Sequence, residues 1–287
     1  MDPFAVIEPR AGESPLVVEV PHAGLWIDPE SLATMIAPAR SIGRDADLHV
    51  DQLFQDAPDE GATLITSHTS RYVVDLNRSE TDVDEHAVEG GGRTPWARGL
   101  IWRLTTDGDP ILLGRLPKSE LARRLDLVYR PYHRALQGLL ARKVARFGFA
   151  VLLCAHSMPS RGRGSHPDAD TYRADLVPGT RGRTSAAGLV IDRVDSHARA
   201  LEWTVRHDDP YRGGFSTANY GKPADGVHAI QIEIARRRYM DESTLRIDPQ
   251  GFATVRDFAR TLVARLAFAE PDAPRRLLCR EAERSGV

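Results

Sequence analysis

The pattern of apolar and polar positions predicts strands that alternate with helices. Apolar runs at Leu16–Val20, 149–155 and 227–235 have the length and composition of buried strands. From 118 to 147, apolar residues recur every three or four positions, which predicts one long helix kinked at Pro131. Further strands are predicted at 61–67 and 72–74, and further helices at 29–37, 47–57, 186–206 and 250–269. This alternation indicates an α/β fold with a mainly parallel or mixed central sheet.

The chain shows no internal repeat and no clear linker. We therefore expect a single domain over residues 1–287, with its core at about 15–270 and a loosely held tail at 271–287. Residues 77–115 lack periodicity and are rich in Asp, Glu and Gly. Such a segment is either a lid or a long excursion between elements.

Composition excludes several classes of protein. The 38 basic and 40 acidic side chains give a net charge of −2, whereas nucleic-acid binders are usually basic. Cys154 and Cys279 are too few for a disulfide framework or a thiolate zinc site. No secretory signal and no apolar run of membrane-spanning length is visible. We expect a cytoplasmic protein with a small-molecule partner, and neither a nucleic-acid nor a membrane partner.

Chemically active side chains follow the predicted strands. His22 and His156 each come directly after an apolar strand, where α/β sheets bind ligands. A single histidine is more often structural, but two at such positions favour zinc, which commonly takes His and carboxylate ligands. Asp45 and Asp47 are the nearest carboxylates, and either could instead cap a helix.

Two further groups of polar residues have both a functional and a structural interpretation. Glu233, on the strand at 227–235, is either a general base or the partner of one of the arginines that follow it. Arg71, Asn77 and Arg78 could hold a carboxylate, since a guanidinium binds carboxylates through two hydrogen bonds, but such residues are also common at surfaces.

Taken together, these segments resemble the N-formylglutamate amidohydrolase family. The resemblance covers roughly residues 15–242 and is carried by Val20–Gly24, Asp45–His49, Ser70–Arg78, Ala155–Met158, Pro210–Phe215, Asn219–Gly221, His228–Glu233 and Tyr239–Glu242. It implies a three-layer α/β/α sandwich, phosphorylase/hydrolase-like, similar to zinc carboxypeptidases and aminoacylases. Carboxypeptidases have a glutamate three residues after the first histidine; here that residue is Leu25, so the carboxylate ligand must come from elsewhere.

The resemblance also implies roles for the candidate residues. His22, His156 and Asp47 would hold one Zn²⁺, with Asp45 as the alternative to Asp47, and Glu233 would be the general base. The substrate-binding residues would be Arg71, Asn77, Arg78 and Gln231.

The implied reaction is hydrolysis of N-formyl-L-glutamate to formate and L-glutamate, at the end of one histidine-degradation route. Two alternatives remain at this point. One is a carboxypeptidase- or aminoacylase-like zinc hydrolase of a peptide or a larger N-acyl group. The other is a binding module that has kept the fold and lost the chemistry.

Overall fold

The computed structural model describes residues 1–10, 12–92, 96–164 and 166–267, and a six-stranded sheet forms its centre. The strands are β1 (Phe4–Ile7), β2 (Leu16–Val20), β3 (Thr63–Ser67), β4 (Ala150–Met158), β5 (Leu176–Gly179) and β6 (Val227–Ala235), with β7 (Met240–Asp241) and β8 (Arg246–Ile247) in a separate hairpin. The sheet order is β1-β3-β2-β4-β6-β5. The inner strands β3, β2, β4 and β6 are parallel, and both edge strands are antiparallel to their neighbours, so the sheet is mixed.

Helices cover both faces of this sheet. They are α1 (Pro29–Leu32), α2 (Ala39–Asp45), α3 (Val50–Leu53), α4 (Lys118–Arg124), α5 (Arg130–Phe147), α6 (Gly188–Arg199), α7 (Phe215–Tyr220) and α8 (Pro249–Leu266). Among the described residues, no helix combines the length and the apolar character that a membrane span requires.

Two hydrophobic clusters divide the molecule into three layers. Alternate residues of β2 point to opposite faces. Val18 therefore joins α3, α6 and α8 in one cluster, and Val17 joins α4, α5 and the segment 72–116 in the other. Burial of a side chain such as Phe258 stabilises the fold by about 1.5–3 kcal/mol. The expected α/β sandwich is confirmed.

The long helix predicted at 118–147 contains a π-helical turn at Leu125–Tyr129. The backbone N–H of Arg130 donates to the carbonyl of Leu125, five residues back. Pro131 has no N–H to donate to Leu127, which disfavours a regular α-helix at this point. The interruption therefore lies just before Pro131.

The strand predicted at 72–74 is wrong. Val73 N–H donates to the Ser70 carbonyl in a turn, and the Val73 carbonyl accepts from Arg124 Nη1 at 2.9 Å. The apolar side chains of Tyr72, Val73 and Val74 are buried in the hydrophobic cluster that also contains α5. A run of apolar residues can therefore reflect burial of a turn and not pairing of a strand.

Other predicted bounds also shift. The helix predicted at 47–57 is reduced to α3, because His49 has φ 67°, outside the helical region, and a 3-10 turn forms at Ala57–Glu60. The helix predicted at 186–206 ends at Arg199, before Glu202 at φ 58°. The tail predicted at 271–287 lies outside the described residues.

Candidate metal centre and active site

The candidate residues lie at the carboxyl ends of the central strands. His22 follows β2, while His156 in β4 and Glu233 in β6 are direct register partners. The ring centroids of His22 and His156 are 4.9 Å apart. Asp47, just after α2, is tied to this edge because its N–H donates to the His22 carbonyl.

His22, Asp47 and His156 form a buried group whose ligand atoms lie within 4.8 Å of one another. Asp47 Oδ2 is 2.8 Å from His156 Nδ1 and 3.6 Å from His22 Nδ1. Burial alone would raise the pKa of Asp47, but the hydrogen bond from His156 Nδ1 and the neighbouring His22 together outweigh it and hold that pKa well below the usual range. The group can therefore offer a carboxylate and two imidazoles to a cation.

His22 Nδ1 is the atom best placed to bind a metal ion. It is buried and has no hydrogen-bond partner among the residues that the structure describes. Buried polar atoms are rarely left without a partner, so an unpaired imidazole nitrogen beside a carboxylate fits a metal ion.

Of the two carboxylates that the sequence left open, Asp47 is the one beside the histidines. The Asp45 side chain instead accepts hydrogen bonds from Tyr72 Oη at 2.6 Å, from the Thr106 N–H at 3.0 Å and from Arg163 Nη1 at 2.8 Å. The helix-cap interpretation of Asp47 also fails, because His49 occupies the N-cap position of α3.

Asp75 is a site residue that the sequence analysis did not single out. Its Oδ1 lies 2.8 Å from His22 Nε2 and accepts the Asn77 N–H at 2.8 Å. Its Oδ2 accepts from Arg71 Nη2 at 2.8 Å and from Trp102 Nε1 at 2.9 Å. Burial would raise the pKa of Asp75, but Arg71, His22 and Arg78 together outweigh it and keep the pKa well below normal. An ionised Asp75 favours the tautomer of His22 that leaves Nδ1 as a lone pair.

Glu233 is buried and has the pKa of a base that works near neutrality. Burial is the largest cause of a pKa raised to about 7, against the opposing charge of His156. Its Oε1 accepts a hydrogen bond from Gln231 Nε2 at 2.9 Å.

The arginines after β6 have other partners. Arg236 donates to Ser157 Oγ, to backbone carbonyls and to Asp47 Oδ1, and Arg237 and Arg238 pair with Asp175. The structural interpretation of Glu233, as a partner of one of these arginines, thus finds no support in these contacts. The catalytic role of Glu233 stays a prediction.

Asn77 and Gln231 are joined in one amide network. Asn77 Nδ2 donates to Gln231 Oε1 at 3.2 Å and lies 3.3 Å from His156 Nε2. Asn77 Oδ1 accepts the Ser216 N–H at 2.9 Å, and Gln231 Oε1 accepts the Gly214 N–H at 2.8 Å. Both amides therefore have protein partners, and their predicted contact with substrate remains untested.

Arg71 and Arg78, grouped as one carboxylate site in the sequence, have different surroundings. The Arg71 guanidinium bonds to Asp75 and stacks on Trp102 with its Cζ 4.4 Å from the ring centroid. Arg78 Nε donates to the Arg98 carbonyl, and its Nη atoms have no hydrogen-bond partner in the described part of the chain. Burial and the charges of the nearby Arg78 and Arg71 lower the pKa of Arg98. This positive region suits an anionic substrate.

Comparisons with known proteins show the family of this chain. The sequence profile of the N-formylglutamate amidohydrolase family matches residues 14–240. An N-formylglutamate deformylase of Pseudomonas aeruginosa is 34% identical over 241 residues, covering 83% of this chain and 86% of the relative. An N-formylglutamate deformylase of Pseudomonas putida is 33% identical over 242 residues, with the same coverage of 83% and 86%.

A solved structure extends the likeness to three dimensions. The N-formylglutamate amidohydrolase from Ralstonia eutropha JMP134 is 32% identical, superposes with a TM-score of 0.84, and covers 93% of this chain and 98% of its own. Sequence profile, relatives and fold therefore agree over most of the chain. The chain belongs to the N-formylglutamate amidohydrolase family.

Proposed function

We propose that this protein is a zinc-dependent amidohydrolase that cleaves N-formyl-L-glutamate to formate and L-glutamate. The observation that carries the proposal is the buried group of His22, Asp47 and His156 beside Glu233, in a chain whose similar relatives are N-formylglutamate deformylases.

His22, Asp47 and His156 would hold the zinc ion. Two imidazoles and one carboxylate are a common ligand set of catalytic zinc, and the unpaired Nδ1 of His22 supplies a lone pair. When bound there, zinc supplies Lewis acidity for the amide oxygen and for the attacking water.

Glu233 moves the proton. Because Gln231 donates to Oε1, the other oxygen, Oε2, takes the proton from the attacking water and delivers it to the departing nitrogen. The water oxygen bonds to the formyl carbon, the C–N bond breaks, and formate and the amino group of glutamate result. A pKa of about 7 lets Glu233 both accept and return this proton near neutral pH.

Arg78 binds a carboxylate of the substrate in this proposal. Its Nη donors have no hydrogen-bond partner among the described residues, and the nearby Arg71 and Arg98 add positive charge. Binding energy from the glutamate half then holds the formyl group at the metal ligands. Asn77 and Gln231 hold the side chain of Glu233 in place through the amide network.

The test combines a metal analysis with a substrate comparison on the purified protein. We expect one bound zinc and release of formate from N-formyl-L-glutamate at a far higher kcat/KM than cleavage of N-acetyl-L-glutamate or a glutamate-containing dipeptide. Faster cleavage of the acetyl compound or the dipeptide would instead favour the aminoacylase-like or carboxypeptidase-like alternative.

Two variants distinguish the role of the proposed metal ligands from that of the proposed base. Glu233→Gln should keep zinc and lose about 10²–10⁴-fold in kcat, since general-base catalysis contributes about this much. Asp47→Asn should lose zinc and activity together. Full activity of Glu233→Gln would remove Glu233 from its role.

A further inference from the structure

A second row of polar residues crosses the centre of the sheet directly beneath the candidate catalytic row. Glu19 in β2 pairs in register with Cys154 in β4, and Cys154 pairs with Gln231 in β6. His156 and Glu233 lie two residues further along β4 and β6, on the same face. Glu19 thus lies directly beneath the site.

The position of Glu19 is costly for the fold. Its side chain is fully buried on a central strand, and Oε2 has no hydrogen-bond partner among the described residues. An apolar residue would avoid the desolvation of a carboxyl group at this position. Buried polar groups that break the local pattern of a strand often belong to functional sites.

The other oxygen of Glu19 is well bonded. Oε1 accepts hydrogen bonds from Ser216 Oγ at 2.9 Å and from Tyr132 Oη at 3.2 Å. Burial raises the pKa of Glu19, so a proton on Oε2 is compatible with Oε1 acting as a double acceptor. Glutamine at this position could accept the same two bonds.

Ser216 connects Glu19 to the site. Its side chain donates to Glu19, while its backbone N–H donates to Asn77 Oδ1 at 2.9 Å. Asn77 then donates to Gln231, and Gln231 donates to Glu233 Oε1 at 2.9 Å. These hydrogen bonds thus connect Glu19 to Glu233, the proposed base.

We infer that Glu19 is a positioning residue of this enzyme: by holding Ser216 at the start of α7, it fixes the amides of Asn77 and Gln231 and thereby the orientation of Glu233. This inference rests on the proposed function. Glu19 touches neither the substrate nor the metal ligands in this role.

The experiment compares four variants of the full-length protein for zinc content, thermal unfolding, and kcat and KM with N-formyl-L-glutamate. Glu19→Met and Ser216→Ala should each lower kcat at least tenfold, with zinc retained and KM within about threefold, because the orientation of the base is disturbed while binding persists. Glu19→Gln should restore kcat to within threefold of the native enzyme. Tyr132→Phe is the matched control: it removes the other hydrogen bond to the same oxygen without touching Ser216, and its kcat should also stay within threefold.

Non-additivity and hydrogen exchange complete the test. The double variant of Glu19→Met with Ser216→Ala should be no slower than the slower single variant, because both break one connection. Peptides that cover Gly214 and Ser216 should exchange amide hydrogens faster in Glu19→Met than in Tyr132→Phe. This readout remains valid if the native protein proves unable to release formate, so the two proposals can fail separately.

The inference is overturned if Glu19→Met leaves both kcat and hydrogen exchange unchanged. It is equally overturned if kcat falls in parallel with the unfolding temperature across all variants, Tyr132→Phe included. Should Glu19→Met fail to fold, Ser216→Ala measured against Tyr132→Phe decides the question.

Discussion

At the scale of single residues, the candidate site depends on carboxylates whose two oxygens have different partners. Asp47 places Oδ2 between the two histidines, and its other oxygen, Oδ1, lies 3.4 Å from Arg236 Nη2. Asp75 places one oxygen on His22 and the other on Arg71. In each carboxylate, an arginine contacts one oxygen, and this contact fixes the orientation of the other oxygen toward the histidines.

Asp75→Asn should weaken metal binding about 10–100-fold, because an amide holds His22 less firmly than an ionised carboxylate does. Zinc affinity is measured by competition with a chromophoric chelator. The matched control is Asp84→Asn, since Asp84 is also buried and paired with an arginine, Arg103, but lies outside the group of proposed metal ligands. Equal zinc affinity in the two variants would contradict the role of Asp75.

Arg78→Ala should raise KM for N-formyl-L-glutamate at least tenfold with little change in thermal unfolding. The physical reason is the loss of guanidinium donors that have no other hydrogen-bond partner in the described residues. Steady-state kinetics check this, with Arg134→Ala on the exposed face of α5 as the control. A KM unchanged from the native value would mean that a residue other than Arg78 binds the substrate carboxylate.

At the scale of elements, the short helix α7 begins so close to the side chain of Asn77 that it needs a glycine before it. A Cβ built on Gly214 would lie 2.3 Å from Asn77 Nδ2. Since Asn77 is fixed by Gln231 and Ser216, it has little room to move away. The start of α7 and the amide network therefore form one rigid unit.

Gly214→Ala should lower kcat by at least tenfold, because the new methyl group displaces Asn77 from its partners. Enzyme assays and thermal unfolding are measured together. Gly138→Ala is the control: Gly138 lies in α5 with no atom within 4 Å of its added Cβ, so this change should stabilise the protein by about 0.4–1 kcal/mol without affecting kcat. Native kcat in Gly214→Ala would show that Asn77 can move freely.

What the sequence could predict differs between central and peripheral elements. The strands β2, β4 and β6 are continuous apolar runs, and their ends located His22, His156 and Glu233 correctly at one edge of the sheet. The edge strands β1 and β5 and the helix α7 were missed because each has only four to six residues and no clear period. Asp75 could not be recognised because its partners His22 and Trp102 are distant in the chain.

At the scale of the whole molecule, an ion pair ties the N-terminal segment to α5. Lys143 has a fully buried side chain, and its Nζ donates to Glu13 Oε1 at 2.9 Å. Arg146 also pairs with Glu13. The hydrogen bond from Lys143 is the largest cause of a lowered pKa at Glu13, ahead of the opposing effect of burial. The segment before β2 is thereby fixed to the helical layer.

Glu13→Gln should lower the free energy of unfolding by about 1–3 kcal/mol at pH 7, since Lys143 then loses its charged partner. Because folding lowers the pKa of Glu13, its contribution is complete above the unfolded value of 4.5 and is lost as the pH falls through the folded value. Urea titrations of both proteins from pH 7 to pH 3 should therefore converge at low pH. Glu89→Gln, at an exposed position, should change stability by no more than about 0.5 kcal/mol throughout. A gap that stays constant with pH would contradict the ion-pair explanation.

The π-helical turn at Leu125–Tyr129 has a consequence for how this chain can accept insertions and deletions. Tyr129, the last residue of that turn, donates its hydroxyl hydrogen to the Arg78 carbonyl at 2.8 Å. Deleting one residue there would remove the π-helical turn and rotate the preceding part of the helix, relative to α5, by about 100°. Either Tyr129 would leave Arg78, or α4 would turn its apolar side chains toward water. The extra residue thus couples the rotation of a structural helix to the backbone of Arg78, the proposed substrate-binding residue, so a change of helix length would disturb the site from a distance.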